Sequence, residues 1–266
     1  MRNCLLKRNV WRLAVMLGCG LMLFGLLKLD RVRGAQADVG YTSADVEHSV
    51  SLDKFRGYIE ASLALWKAAD YKLAAAHAAD ANAEFATINN DLAAQNADTA
   101  LKTALDVYTG LAAQAGDTTK MDAAYQAVLD AADTAEQALV GSNLTDTQFL
   151  GEVIVKLVQS VETEYTESLQ DGKIAEPAKY RGAVAFLQVA QARWDVISAG
   201  LENPDSAAKV KAQFDILKVD FPDYVKLPAK PVSPDSLKKT VNTLIDALRT
   251  LLDLPQGIQE PTASAP

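Results

Sequence analysis

The sequence has little of the chemistry that most catalytic and metal sites use. It contains two cysteines and two histidines among 266 residues. Both cysteines, Cys4 and Cys19, lie in the first 37 residues, together with three of the four methionines. The rest of the chain has no cysteine, and its two histidines are His48 and His77. This excludes a disulfide scaffold, a thiolate metal site, a cysteine nucleophile and a Met-rich copper site after residue 37.

Positive charge is also scarce outside the N-terminal segment. Residues 1–37 carry seven Lys or Arg and one acid, a net charge of +6, whereas residues 38–266 carry 19 basic and 33 acidic side chains, a net charge of −14. Nucleic acid is therefore not an expected partner, because phosphate binding requires a basic surface. An acidic surface attracts cations instead.

The N-terminal segment has the layout of an export signal. A basic stretch to residue 12 is followed by an apolar run from Leu13 to Leu27, and the segment ends in Ala35-Gln36-Ala37. This order predicts a signal peptide over residues 1–37, cleaved after Ala37, and an extracytoplasmic (periplasmic or secreted) protein. The alternative is an uncleaved membrane anchor, although a run of 15 residues is shorter than the ~18–20 that a bilayer requires.

The remaining chain is typical of an all-helical protein. Alanine and leucine are abundant, apolar residues recur at spacings of three and four, and no long stretch alternates apolar and polar residues. Because most breaks are short, successive helices should pack antiparallel. We predict an all-α antiparallel bundle of about eight helices, at residues 51–69, 71–93, 97–114, 119–140, 145–171 or 147–171, 176–201, 204–219 and 234–254.

Two flanking segments complete the predicted organisation. Residues 38–50 are interpreted as an exposed lead-in to the helical domain at residues 51–254. Residues 255–266 are rich in Pro, Thr, Ser and Ala and have too little apolar surface to fold, so they are predicted to be a disordered tail.

A weak internal similarity suggests a duplicated helical hairpin. Phe55-Arg56-Gly57 and Tyr180-Arg181-Gly182 each open a helix that contains a tryptophan, Trp66 or Trp194, and a similar apolar patch follows in the next helix. A duplicated hairpin would explain the similarity. In an alanine-rich helical sequence such matches also arise by chance.

Motifs of known enzyme chemistry are missing from the sequence. It has no Gly-rich phosphate loop, no G-x-S-x-G, no C-x-x-C and no H-E-x-x-H. With two histidines and no cysteine after residue 37, nucleophilic catalysis has few candidate groups. We therefore expect a protein that is not an enzyme.

The first candidate metal site lies on the second predicted helix. His77, Asp80 and Glu84 are spaced by three and seven residues, which places them on one helix face. Glu60, on the preceding helix, could approach them across the hairpin. An imidazole with carboxylates suits iron, manganese or zinc. The alternative is that His77 lies in a helix–helix contact while the acids are solvated.

The second candidate site lies on the fifth predicted helix. Glu164, Glu167 and Asp171 share one face at the same spacings, with Tyr165 nearby. Carboxylates with a tyrosine hydroxyl suit a hard cation such as ferric iron. The alternative is an ordinary acidic surface, as expected from the net charge.

Several short segments resemble a known family. The run from Glu164 to Ile174, followed by Ala178-Lys179-Tyr180 and by Ala183-Val184-Ala185-Phe186-Leu187, is similar to the extracytoplasmic helical domain of bacterial Ftr-type high-affinity iron permeases. Tyr58-Ile59-Glu60-Ala61-Ser62, Asp70-Tyr71 and His77-Ala78 resemble the first part of such a domain. The resemblance covers roughly residues 50–250.

The departures from this family limit what the resemblance implies. The permease carries Arg-Glu-x-x-Glu signatures in membrane helices, and this chain has no Arg-Glu dipeptide. The related imelysin-like proteins carry His-x-x-Glu, for which the nearest match is His77-Ala78-Ala79-Asp80. The resemblance implies an accessory or stand-alone version of the soluble domain, which binds a metal ion, expected to be iron, or docks on a membrane iron permease. The alternative is a non-catalytic helical scaffold or interaction protein of the cell envelope with no metal.

Overall fold

A computed structural model describes residues 40–255, and 80% of the described structure is helical. This confirms the predicted all-α fold of eight helices. The predicted cleavage site and almost all of the predicted tail lie outside the described residues. The helices are α1 Ser43–Lys67, α2 Tyr71–Ala94, α3 Asp98–Ala112, α4 Thr118–Val140, α5 Thr147–Ser168, α6 Pro177–Ser198, α7 Pro204–Asp220 and α8 Pro234–Leu252, with a 3-10 helix at Gly141–Thr145 and short strands β1 Leu169–Gln170 and β2 Lys173–Ile174.

Most helix ends lie within about three residues of the predicted ones because the local stop and start signals are strong. Polar N-cap side chains accept hydrogen bonds from backbone N–H groups at the starts of α2, α4, α5, α7 and α8. Proline lies in the first turn of α6, α7 and α8, where a backbone N–H would have no hydrogen-bond partner within the helix, so its absence costs nothing.

The predicted lead-in is wrong for residues 43–50, which are the first two turns of α1. Thr42 and Asp45 form a capping box: the Thr42 N–H donates to the Asp45 carboxylate at 2.8 Å, and the Asp45 N–H donates to the Thr42 hydroxyl at 3.2 Å. Val46 and Val50 are buried. The predicted start at Ser51 was based on the apolar stripe, but the capping box lies before that stripe. The helix therefore begins eight residues earlier, at Ser43.

The predicted end of the fifth helix is also wrong. The helix α5 ends at Ser168, and a small antiparallel hairpin pairs Leu169 with Ile174 and Gln170 with Lys173. Its two turn residues, Asp171 and Gly172, have φ angles of 51° and 71°. An Asp-Gly pair with two positive φ angles is the preferred two-residue hairpin turn. The sequence signal interpreted as a helix end is thus a hairpin turn.

The eight helices form two closed rings of four. In the first ring α1 contacts α2, α2 contacts α3, α3 contacts α4, and α4 returns to α1; in the second ring the same order runs through α5, α6, α7 and α8. The helix α1 also contacts α5 and α6 and so joins the rings. Each ring encloses apolar side chains, including Phe55 and Tyr108 in the first and Trp194 and Phe214 in the second.

Glycines bring α1 and α6 close together. A Cβ at Gly57 would lie 3.2 Å from the Ala185 Cβ, and a Cβ at Gly182 would lie 3.4 Å from the Tyr58 ring. These are the glycines of the two similar tripeptides, and both lie at the contact between the rings. The close approach places side chains of α1 beside those of α5 and α6. The duplication itself stays a prediction.

Candidate metal site between the two helical rings

The structure brings together acids from both candidate sites. Asp80 and Glu84 on α2 and Glu164 and Glu167 on α5 form what we call the acidic cluster. Burial raises the pKa of the Tyr58 phenol of α1, and the charges of all four carboxylates raise it further. Glu164 and Tyr58 both pack against Gly182. A Cβ built at Gly182 would lie 3.2 Å from the Glu164 Oε2 and 3.4 Å from the Tyr58 ring. Tyr58 therefore lies where the two acidic segments meet.

His77 is the innermost group beside the acidic cluster. Its side chain is fully buried, and its ring stacks on that of Tyr58 with 5.9 Å between centroids. The Nδ1 atom is 3.3 Å from the Asp80 Oδ2, yet neither ring nitrogen has a hydrogen-bond partner among the described residues. His77 is thus in a helix–helix contact, as the alternative interpretation held, but with an acid beside it.

The central carboxyls of the cluster are harder to ionise than usual. Burial raises the pKa of Glu84, and nearby Asp80 adds to the rise, whereas Lys54 lowers it. Burial also raises the pKa of Glu164. The charges of Glu167 and Asp80 add to this rise, whereas those of Lys179 and Lys54 lower the pKa. The surplus of negative charge over the two lysines makes the cluster a favourable environment for a cation.

Two of the predicted ligands are not in this cluster. Asp171 lies exposed in the β1–β2 turn, because α5 ends before it. Glu60 belongs to a different group of side chains: burial raises the pKa of its carboxyl, and Arg56 and the Tyr224 hydroxyl oppose that rise. Glu60 is two positions after Tyr58 in the chain, so the two side chains project from different faces of α1. The prediction that Glu60 joins His77 is wrong.

Glu60 is expected to make stability depend on pH. Burial raises its pKa to about 7, whereas an unfolded glutamate titrates near 4.3. Its contribution to stability is therefore complete below about pH 4.3 and is lost as the pH rises through 7. Glu60→Gln should raise the free energy of unfolding by about 2 kcal/mol at pH 8 and change it little at pH 4.

Urea unfolding of the Glu60→Gln variant at pH 4, 6 and 8 measures this effect. Glu202→Gln, at an exposed position, is the control and should follow the unmodified protein at each pH. A Glu60→Gln variant that is less stable than the unmodified protein at pH 8 would show that the ionised carboxylate stabilises the fold.

A buried ion network, which the sequence analysis did not find, also joins the rings. The Arg193 guanidinium of α6 binds Asp53 of α1 through two hydrogen bonds, of 2.9 and 2.8 Å, and Glu136 of α4 at 2.5 Å. Arg56 binds the same two acids, each at 2.9 Å. Burial alone would raise the pKa of Glu136, but the two guanidiniums hold it at about 2. Because its carboxylates are saturated by arginines, this network has a structural role and leaves no room for a cation.

The arrangement of the cluster falls short of a formed metal centre. Within residues 40–255, no group of three or more His, Cys, Asp or Glu side chains is arranged to hold a metal ion. Asp80 and Glu167 are about half exposed, and Glu167 is in an ion pair with Lys179. A bound ion would require these side chains to change rotamer and Lys179 to leave.

Comparison with known proteins gives one family match. Residues 140–255 match the family model described as the iron permease-associated 4-helix bundle domain. No curated protein and no solved structure matches the chain. The match spans the ring α5–α8, so the resemblance interpreted over residues 50–250 is confirmed for its C-terminal part.

The matched segment agrees with the fold. Its boundaries enclose four helices that contact each other in a closed ring. None of the helices in the described part of the chain is long and apolar enough to cross a membrane. Residues 140–255 are thus similar to the iron permease-associated 4-helix bundle domain, which suggests a role linked to iron uptake.

Proposed function

We propose that this protein is an exported accessory protein of iron uptake that binds an iron ion at the acidic cluster. The observation that carries the proposal is the meeting of Asp80 and Glu84 with Glu164 and Glu167 around Tyr58, whose ring stacks on buried His77. A buried imidazole without a hydrogen-bond partner is uncommon, because most buried polar groups find one. A metal ion bound by His77 and the carboxylates would supply that partner.

The donor types favour a transition metal. Carboxylates are hard oxygen donors that suit Mg²⁺, Ca²⁺ and Mn²⁺, whereas an imidazole nitrogen shifts the preference toward iron, zinc and their neighbours. The family match supports iron among these ions. The Tyr58 hydroxyl, facing the four acids, is a further oxygen donor for the oxidised ion.

Protons should compete with the metal. Metal ligands must be deprotonated, and burial already raises the pKa of both Glu84 and Glu164. Acidification should therefore weaken binding, because these two carboxyls take up protons at a higher pH than exposed glutamates do.

Calorimetric titration with Fe²⁺, Fe³⁺, Mn²⁺ and Zn²⁺ tests the proposal on the unmodified protein and on His77→Gln/Glu84→Gln. We expect one ion per chain and a loss of affinity of at least about 100-fold in the variant, since even outer-shell changes at metal sites cost 10–100-fold. His48→Gln/Asp91→Asn is the matched control, because this pair, 3.0 Å apart, also joins α1 to α2. The control should bind as the unmodified protein does.

Two results would contradict the proposal. Equal affinity in the unmodified protein and in His77→Gln/Glu84→Gln would remove the acidic cluster as the site. Absence of binding by either protein would favour the non-catalytic scaffold of the cell envelope. In both metal-binding and scaffold interpretations the protein has no catalytic activity.

Docking on an iron permease is a second candidate function. The observation that favours it is the family match, which describes a domain associated with such permeases. Binding of the purified protein to a purified iron permease would test it. The variant His77→Gln/Glu84→Gln should keep this binding if docking is independent of the metal.

A further inference from the structure

Exposed apolar side chains are concentrated at the end of α7 and in the segment that follows it. Five large apolar side chains are exposed in the described part of the chain, and four of them, which we call the apolar patch, are Ile216, Val219, Val225 and Leu227. The fifth, Val107, lies alone on α3 of the other ring. Single exposed apolar residues are normal on a protein surface, whereas a concentration of them marks an interaction site.

The fold directs the end of α7 outward. The buried residues of this helix, Val210, Phe214 and Leu217, lie on one face. Ile216 and Val219 are three residues apart and share the opposite face, where Val219 is 78% exposed. Because a surface helix ordinarily has a polar outer face, the outer face of α7 is unusual.

The connector between α7 and α8, residues 221–233, is held against the second ring by hydrogen bonds. The Arg181 Nε of α6 donates to the Tyr224 carbonyl at 2.7 Å, and the Tyr165 hydroxyl of α5 donates to the Val232 carbonyl at 2.6 Å. The two patch residues of the connector lie between these anchors and are exposed. Their exposure is thus part of an anchored structure.

Positive charge is concentrated in the same part of the chain. Residues 209–239 carry seven lysines and four aspartates, a net charge of +3, whereas residues 38–208 and 240–266 together carry 12 basic and 29 acidic side chains, a net charge of −17. All seven lysines are exposed. Within the described part of the chain, Lys211 is the one lysine of the seven in an ion pair, with Asp215. Lys218 and Lys226 directly adjoin residues of the apolar patch.

We propose that the apolar patch and the lysines around it bind a membrane surface that contains anionic lipids. Lysines are attracted to anionic headgroups, and exposed apolar side chains enter the boundary between headgroups and acyl chains. The order Val225-Lys226-Leu227 suits this boundary, because a lysine can bury its apolar stem and keep its ammonium among the headgroups. The charge of residues 209–239 is therefore complementary to such a surface, although the rest of the chain after residue 37 is acidic.

The shape of the patch favours lipid over a protein partner. The outer face of a helix is convex, and a convex surface enters a fluid lipid layer without requiring a partner of matching shape. The patch shares no residue with the acidic cluster. Membrane binding is therefore a property separate from the proposed binding of iron.

Hydrogen–deuterium exchange of the full chain, titrated with vesicles, tests the proposal. Local protection identifies the contact even if the apolar run at residues 13–27 also binds lipid. With vesicles of phosphatidylglycerol and phosphatidylcholine, we expect slower exchange at residues 216–227, and less protection as salt screens the lysines. Vesicles of phosphatidylcholine alone should protect these residues much less.

Val219→Ser is the variant and Val107→Ser, the same change at the exposed valine of the other ring, is the matched control. The lipid concentration that gives half-maximal protection should rise about 10-fold in Val219→Ser, because burial of a valine side chain favours binding by about that factor. It should not change in Val107→Ser. Both positions are exposed, so both variants should fold.

Each result decides for or against the membrane surface. Protection by anionic vesicles that weakens in Val219→Ser and persists in Val107→Ser supports the proposal. Equal half-maximal concentrations in the two variants, or no protection of residues 216–227 by anionic vesicles, overturns it. Equal protection by phosphatidylcholine alone also overturns it, because the lysines would then contribute nothing. Protection by a purified iron permease but not by vesicles would make the patch a protein-docking surface and overturn the proposal.

Discussion

Replacing Arg193 with methionine is expected to lower the free energy of unfolding by about 3–5 kcal/mol, the usual cost of breaking a buried ion pair by removing one partner. Arg193 binds both Asp53 and Glu136, whose side chains are buried. Without it, one guanidinium, that of Arg56, is left for two buried acids. The effect should exceed that of any exposed charge, because the acids lose a partner and regain no water.

Urea unfolding measures this loss, and Lys211→Met provides the control. Lys211 forms an exposed ion pair with Asp215 one turn away on α7, a type of pair that contributes about 0.3–0.5 kcal/mol. A loss for Arg193→Met as small as that for Lys211→Met would mean that the network is hydrated in solution. It would also mean that these ion pairs do not stabilise the contact between the two rings.

Glu164→Gln on α5 is expected to weaken iron binding by about 100-fold, although most of the candidate donors are on α2. The reason is our proposal that Glu164 and Glu84 bind the same ion, which is supported by the charges of both acids acting on Tyr58. Glu162→Gln, the same change on the same helix, is the control. It should leave the affinity unchanged, because Glu162 is not among the acids that act on Tyr58.

A double-mutant cycle with Glu84→Gln and Glu164→Gln decides whether the site is shared. Residues that share one site are coupled by about 0.5–3 kcal/mol, whereas distant sites are additive. We expect coupling in this range and one ion per chain. Additive effects with two ions per chain would indicate that α2 and α5 carry separate sites.

The fold was largely predictable because its signals are local. Proline at the starts of α6, α7 and α8, together with polar caps such as Asp70 and Asn203, fixes the helix ends almost independently of tertiary packing. The errors arose where two signals competed. The capping box at Thr42 precedes the apolar stripe of α1, and Asp171-Gly172 serves a hairpin turn where a helix stop was expected.

The candidate site was only partly predictable because it depends on contacts between separate helices, which are not local. Helical spacing groups His77, Asp80 and Glu84 on α2, and Glu164 with Glu167 on α5. It gives no information on which faces of separate helices meet. That is decided by the close approach of α1 and α6 at Gly57 and Gly182, and the same packing directs Glu60 toward Tyr224.

Lys54 and Tyr58 were missed for a related reason. Both lie on α1, where Tyr58 fits the apolar stripe and Lys54 is an ordinary polar position. Only the packing of α1 against α2, α5 and α6 reveals that these side chains face acids. A lysine and a tyrosine four residues apart, opposite two acidic helices, carry no recognisable motif.

Anomalous X-ray diffraction at the iron absorption edge, from crystals of the iron-loaded protein, tests the central claim most directly. The account predicts one anomalous peak between α2 and α5, within coordination distance of His77 or its neighbouring carboxylates Asp80, Glu84 and Glu164. A peak elsewhere on the surface, or none in crystals grown with excess iron, would contradict the claim that the two acidic segments form one metal site.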